Sequence, residues 1–81
     1  DEITTFVLAL LAEKGKLPTT DIGNYNFIDT GHIDSLGLIK FLSRIESKYD
    51  IEISDDDFEN KQIRTVKGLA ALISEKLSAQ K

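Results

Sequence analysis

The stretch that decides the fold is DSLGLIKFLSRIESKY, from Asp34 to Tyr49. Its apolar residues recur at i, i+3, i+4, i+7 and i+11, a spacing that places them on one face of an α-helix. They are Leu38, Phe41, Leu42, Ile45 and Tyr49. Asp34 is typical of the residue that caps a helix N-terminus. We therefore predict a helix over residues 35–49 with one buried face.

Apolar residues at helical spacing also occur on both sides of this helix. Near the N-terminus the apolar positions are Ile3, Phe6, Val7, Leu10 and Leu11. Near the C-terminus they are Val66, Leu69, Ala70, Ile73 and Leu77. We predict a first helix over residues 2–14, ended by a left-handed cap at Gly15, and a last helix capped by Thr65.

The connections between these helices carry other signals. No helical period persists from Gly15 to Asp34, so this segment is predicted to be a long ordered loop. Its apolar anchors are Leu17, Ile22, Tyr25, Phe27 and Ile28. Ser54 before three aspartates predicts a short capped helix that buries Phe58, and Ile51 and Ile53 are predicted to point inward from the linker. The expected fold is all-α, a four-helix bundle of three long helices and one short one.

Composition limits the class of function. The chain has 81 residues, 41% of them hydrophobic, which fits one domain over residues 1–81 but leaves little room for an enclosed active site. With no cysteine and one histidine, it lacks a disulfide framework and a thiolate zinc site. A net charge of −4 argues against nucleic-acid binding. The longest apolar run, Phe6 to Ala12, is too short to span a membrane, so we expect a cytoplasmic protein. We also expect a monomer.

Ser35 is the candidate for chemistry. It falls in the first turn of the predicted helix, where backbone N–H groups lack intrahelical partners and the helix dipole favours a negative charge. A phosphate on Ser35 would be well placed there, although Asp34 would oppose it. Alternatively, Asp34 and Ser35 form an ordinary N-terminal capping pair, and the residues alone leave both interpretations open.

The stretch from Asp29 to Leu36, DTGHIDSL, resembles the attachment motif of the acyl carrier protein family, in which the serine of Asp-Ser-Leu receives phosphopantetheine from coenzyme A. The similarity extends over essentially the whole chain. It includes Phe27 in the loop, Asp50-Ile51-Glu52-Ile53, the turn from Asp55 to Phe58, and Thr65-Val66.

The resemblance implies a covalent 4'-phosphopantetheine on Ser35, whose thiol holds acyl or aminoacyl groups as thioesters. The protein would serve fatty acid, polyketide, nonribosomal peptide or related biosynthesis and would have no catalytic residue; His32 and Asp34 would not be triad partners of Ser35. Its partners would be a phosphopantetheinyl transferase, a loading ligase and downstream acyl-transferring enzymes.

The resemblance also implies a partner surface on the second helix. Its members would be Asp34, Leu36, Ile39, Lys40 and Arg44. A helical wheel places Leu36 about 160° from Leu38, so we expect it to be exposed. Lys40, Arg44 and Lys48 make this face basic, whereas carriers of bacterial fatty acid synthesis usually present acids there.

Two alternatives concern this basic face. It is either a docking surface or a solvated stripe, and the rival function is a cofactor-free helical adaptor that binds a partner through it.

The residues around Ser35 indicate a subtype of the family. Gly31-His32-Ile33 and Gly37 look more like those of discrete aminoacyl or D-alanyl carriers. The aspartates 55–57 lack the spacing of a calcium loop and His32 is interpreted as a loop residue, so no metal site is predicted.

Overall fold

The computed structural model describes residues 2–79, and these residues form four α-helices. They are α1 (Glu2–Ala12), α2 (Ser35–Tyr49), α3 (Asp55–Glu59) and α4 (Val66–Ala79). Two short 3-10 turns lie in the connections, at Ile22–Asn24 and Lys61–Arg64. There is no β-strand within residues 2–79. The predicted all-α bundle of three long helices and one short one is confirmed.

One apolar core joins the long helices, the long loop and the linker. Its buried members are Val7, Leu10, Leu11, Phe27, Ile33, Phe41, Leu42, Ile45, Ile51, Ile53, Ile63, Val66, Leu69, Leu72 and Ile73. The helical stripes predicted from spacing supply most of this set, and the remaining stripe residues are buried or packed at its edge. The two linker isoleucines point inward as predicted. Because they are buried, the backbone between α2 and α3 is held against the core.

Polar side chains cap the short and last helices. Ser54 and Asp57 form a reciprocal capping box, in which the N–H of Ser54 donates to the Asp57 carboxylate at 2.8 Å and the N–H of Asp57 donates to Ser54 Oγ at 3.3 Å. The N–H of Gly68 donates to Thr65 Oγ1 at 3.1 Å. Each cap satisfies an N–H that the helix itself cannot pair. Both predicted caps are confirmed.

The end of α1 differs from the prediction. The helix stops at Ala12, and the N–H of Lys14 donates to the Leu11 carbonyl at 3.0 Å in a tighter, 3-10-type turn. Gly15 does not adopt a positive φ, so the predicted left-handed cap is wrong. A Cβ placed on Gly15 would lie 3.5 Å from Cε1 of His32. The chain therefore turns away from the helix against the His32 ring.

The long loop is more regular than its sequence indicates. It contains the 3-10 turn Ile22–Asn24, where no helical period was expected. The N–H of Phe27 donates to the Arg64 carbonyl at 3.1 Å, and the N–H of Val66 donates to the Tyr25 carbonyl at 3.3 Å. These two bonds fasten the loop to the start of α4. The predicted anchor Phe27 is completely buried.

Phe58 is the one predicted core residue that the structure leaves at the surface. Its exposed fraction is 37%, so the prediction that α3 buries it is wrong. The helix has five residues, barely more than one turn, and it lies at the edge of the bundle. Phe58 instead lines a surface groove of about 410 Å³ with Leu38, Ile39 and Asp55.

Tyr49 offers a test of the packing between α1 and α2. Its ring packs edge-on against Phe6 with 5.7 Å between centroids, and burial raises the pKa of its hydroxyl. That hydroxyl has no hydrogen-bond partner within residues 2–79. A buried donor without a partner costs free energy, so we expect Tyr49→Phe to raise the free energy of unfolding by about 1 kcal/mol in urea denaturation. A loss of stability would instead show that the hydroxyl is satisfied.

Candidate functional site

The candidate site is built on the start of α2. Asp34 has an extended backbone, and its Oδ1 accepts a hydrogen bond from the N–H of Gly37 at 2.7 Å. Its carbonyl accepts the first intrahelical bond, from the N–H of Leu38 at 2.8 Å. The helix therefore begins at Ser35, as predicted. The side chain of Ser35 is outside the described part of the structure, so its role stays a prediction.

The segment before Ser35 is fixed by the core. Ile33 is buried, and its N–H donates to the carbonyl of Phe27 at 3.0 Å. Gly31 turns the chain with a φ of 79°, which is costly for a residue with a Cβ. These contacts set the direction in which the chain enters α2. The attachment loop, defined as residues 31–34, is consequently positioned by the same residues that stabilise the fold.

His32 ties the attachment loop to the end of α1. Its Nε2 lies 2.7 Å from the carbonyl oxygen of Leu11, which can only accept, so Nε2 carries the proton. Nδ1 lies 2.8 Å from the hydroxyl of Tyr25, which donates to it when the ring is neutral. Both ring nitrogens are thus used in structural hydrogen bonds. This agrees with the prediction that His32 is a loop residue, but its partners were not predicted.

Two of the predicted partner-contact residues form an exposed apolar surface. Leu36 is 75% exposed and Ile39 is 55% exposed, which confirms the exposure that the helical wheel predicted for Leu36. Ile39 also lines the groove that holds Phe58. We call Leu36, Ile39 and Phe58 the apolar patch. Their burial by another protein would be favourable, because each exposes a large side chain.

The three cations on the basic face of α2 differ in their contacts. Arg44 forms two hydrogen bonds with Glu13, directly after α1, at 2.7 and 3.2 Å, and this contact lowers the pKa of Glu13. The ammonium of Lys48 lies 5.6 Å from the centroid of the Phe6 ring. Lys40 makes no ion pair or hydrogen bond with the part of the chain that the structure describes. Two of the three cations therefore have a partner in α1 or in the turn after it, and Lys40 has no charged or hydrogen-bonded partner among residues 2–79.

The aspartates at the start of α3 serve the helix. Asp57 forms the capping box with Ser54, and its Oδ2 also lies 2.7 Å from the ammonium of Lys76 in α4. The hydrogen bond from Lys76 lowers the pKa of Asp57 below its ordinary value. No group of three or more potential metal ligands occurs within residues 2–79. This cluster fastens α3 to α4.

The lowered pKa of Asp57 makes a pH-dependent prediction. A carboxylate whose pKa is lower in the folded state stabilises the fold above its unfolded pKa of about 3.8, and this contribution is lost as the pH falls through the folded value. We expect Asp57→Asn to lower the free energy of unfolding by about 1–2 kcal/mol at pH 7. The difference in stability from the wild type should become smaller below pH 3.8. Urea denaturation at pH 7 and at lower pH measures the gap. Asp56→Asn, on an exposed neighbour, should show little change; a gap for Asp57→Asn that does not vary with pH would contradict the prediction.

Sequence reasoning missed one residue that shapes this side of the bundle. Glu46 Oε2 accepts a hydrogen bond from the N–H of Ile53 at 2.8 Å. It therefore holds the linker between α2 and α3. In the sequence, Glu46 stands out only as an acid on an otherwise basic helix. That feature does not predict a hydrogen bond to a backbone N–H seven residues away.

Comparison with known proteins identifies the family of the chain. The family model described as a phosphopantetheine attachment site matches residues 5–73, which include the attachment loop, all of α2 and α3, and most of α1 and α4. None of the curated proteins compared with the chain matches it. No helix within residues 2–79 is both long enough and apolar enough to cross a membrane. The chain therefore belongs to the phosphopantetheine attachment site family, carrier proteins whose cofactor is a covalently bound 4'-phosphopantetheine.

Proposed function

We propose that the hydroxyl of Ser35 carries the phosphopantetheine arm, and that the protein presents acyl or aminoacyl thioesters on this arm to partner enzymes. The observation that carries the proposal is the start of α2. It begins at Ser35, directly after the Asp34 cap and at the end of a loop held by Ile33, inside the segment that matches the family. An arm attached there would leave the bundle from a fixed point. The chain itself would have no catalytic residue.

The residues around Ser35 fit this group. The arm supplies a terminal thiol, the group that forms the thioester, and the chain has no cysteine of its own. The first turn of α2 offers the positive end of a 15-residue helix to the phosphate. A Cβ placed on Gly31 would meet no atom within 4 Å, so the loop leaves space beside the attachment point. Asp34 is partly occupied by its bond to the N–H of Gly37, which moderates its repulsion of a phosphate.

The attachment is tested by intact mass. We expect the purified protein, incubated with coenzyme A and a broad-specificity phosphopantetheinyl transferase, to gain the mass of one arm per chain. The same incubation without the transferase is the control. A chain that remains unmodified after transferases from several sources have been tried would contradict the proposed function.

We further propose that partner enzymes recognise Asp34, Leu36, Ile39, Lys40 and Arg44. Leu36 and Ile39 would supply apolar contact area, and Lys40 a cation that no described residue neutralises. Arg44 would contribute less charge, because Glu13 pairs with it at 2.7 Å. We propose that the one core makes residues 1–81 a single carrier domain. No observation favours a cofactor-free adaptor over this carrier.

The basic character of this surface favours one class of partner. The combination of Lys40 with Gly31-His32-Ile33 before Asp-Ser supports loading by a separate adenylating ligase, as in aminoacyl or D-alanyl carriers. The acid-lined helix of fatty acid carriers would attract different enzymes, since complementary charge controls encounter and selection. Within the family, we therefore propose an aminoacyl-type carrier, whose downstream partners are acyl-transferring enzymes.

Lys40 and Lys48 provide a matched test of this surface. Reversing the charge at Lys40 should slow loading by the adenylating ligase roughly three- to tenfold at low ionic strength, because the encounter loses its steering. Lys48→Glu makes the same change of charge on the part of α2 that faces Phe6, and should slow loading much less. Initial loading rates of the two phosphopantetheinylated variants measure the difference. Loading of both variants at the wild-type rate would show that the basic face is only solvated.

A further inference from the structure

We propose that Lys14 binds the phosphodiester of the arm, in a small cavity between the end of α1 and the start of α2. This inference rests on the proposed function, because it requires the arm to be attached at Ser35. It adds a positioning residue that lies 21 positions before the attachment point and outside the Asp-Ser-Leu motif.

The cavity lies beside the attachment point. Its volume is about 200 Å³, and its lining residues are Lys14, Gly31, His32, Ile33, Asp34 and Gly37. Ser35 lies in the chain between two of these residues, Asp34 and Gly37. A water molecule occupies about 30 Å³ in the liquid, so the cavity has room for a phosphate group and accompanying water. Gly31 leaves this side open, because a Cβ there would meet no atom within 4 Å.

The charges around the cavity favour this role for Lys14. A phosphodiester brings one negative charge next to the carboxylate of Asp34, and a nearby cation would offset the repulsion between the two. Among residues 2–79, Lys14 is the only lysine or arginine that lines the cavity. Its ammonium makes no ion pair or hydrogen bond with residues 2–79. Its charge contributes to the lowered pKa of Glu13, but that carboxylate is already paired with Arg44 at 2.7 Å. Lys14 is therefore available to pair with the phosphate.

The structure also explains how Lys14 comes to lie there. The carbonyl of Leu11 accepts hydrogen bonds from Nε2 of His32 at 2.7 Å and from the N–H of Lys14 at 3.0 Å. One carbonyl thus joins the end of α1 to the attachment loop and fixes the backbone of Lys14 beside it. The tighter turn that ends α1 early is part of this arrangement, since it supplies the second of these bonds.

The test uses the phosphorus nucleus of the arm as its readout. The loaded wild type, Lys14→Gln and Lys16→Gln would be compared by ³¹P NMR. Lys16 is an exposed lysine two residues further on that does not line the cavity, so its replacement removes the same charge from the same segment. We expect Lys14→Gln to move the ³¹P resonance towards that of free phosphopantetheine, and Lys16→Gln to leave it at the wild-type position.

Salt provides a second readout. Raising the salt concentration from about 0.01 M to about 1 M shortens the screening length roughly tenfold, so the wild-type resonance should move towards that of Lys14→Gln, while the latter stays nearly constant. Identical ³¹P positions and salt responses in all three proteins would overturn the role of Lys14. Intact mass separates this outcome from failure of the proposed function: in the first case every chain carries the arm, and in the second none does.

Discussion

Replacing Phe27 with alanine is expected to lower the free energy of unfolding by about 4 kcal/mol. The side chain is completely buried, and its ring centroid lies 5.6 Å from that of Phe41 in α2. Its removal loses the transfer free energy of an aromatic ring and leaves a cavity that the surrounding helices fill only in part. A chain of this size has a total stability of about 4–12 kcal/mol, so the loss would be a large share of it.

We also expect Phe27→Ala to disturb the segment before Ser35, because the backbone of Phe27 holds that segment. Its carbonyl accepts the N–H of Ile33 at 3.0 Å, and its N–H donates to the carbonyl of Arg64 at 3.1 Å. Phe58→Ala is the matched control, because 37% of that side chain is already exposed and its truncation should cost about 1–2 kcal/mol. Urea denaturation followed by circular dichroism measures both. Equal losses at the two positions would contradict the burial that the structure assigns to them.

A substitution of similar effect is Gly68→Ala in the first turn of α4. A Cβ on Gly68 would overlap the backbone carbonyl oxygen of Gln62 and approach Thr65 Oγ1 to 2.9 Å. Alanine favours a helix over glycine by about 1 kcal/mol, but relieving the overlap requires the turn before α4 to move. Overpacking of this kind costs 1–3 kcal/mol or more, so we expect a net loss of about 3 kcal/mol.

Gly23 supplies the control for this prediction. A Cβ there would lie 3.6 Å from Cβ of Lys67, an ordinary contact, and the backbone does not need a positive φ. Gly23→Ala should therefore change stability by less than about 1 kcal/mol. The midpoints of urea denaturation give the comparison. If Gly68→Ala were as stable as Gly23→Ala, the carbonyl oxygen of Gln62 would have to lie further from Gly68 than it does in the structure.

The helices were predictable because their signals are local. The apolar spacing of α2, its cap at Asp34 and the cap at Thr65 are each contained within a few residues, and the structure has them where they were expected. The end of α1 was not predictable in the same way. Its last carbonyls include that of Leu11, which is hydrogen-bonded to Nε2 of His32, 21 residues away. Because the tighter turn ends the helix, Gly15 does not serve as the left-handed cap that its position predicts.

The site shows the same division between local and distant information. The exposure of Leu36 follows from the helical wheel and was predicted. The spacing of Lys40, Arg44 and Lys48 predicted a continuous basic stripe. Arg44 is instead paired with Glu13, 31 positions away in the sequence, which the spacing could not reveal. Lys40 has no ion pair within residues 2–79. The prediction that Phe58 is buried was wrong, because the apolar character of a side chain does not show whether another element covers it.

The most direct test of the proposed attachment is to locate the arm by tandem mass spectrometry of the loaded protein. We predict that every fragment bearing the arm contains Ser35, that Ser35→Ala takes up no arm, and that Ser43→Ala, at an exposed serine of the same helix, is loaded as fully as the wild type. An arm found on any other residue, or equal loading of Ser35→Ala, would contradict the central claim.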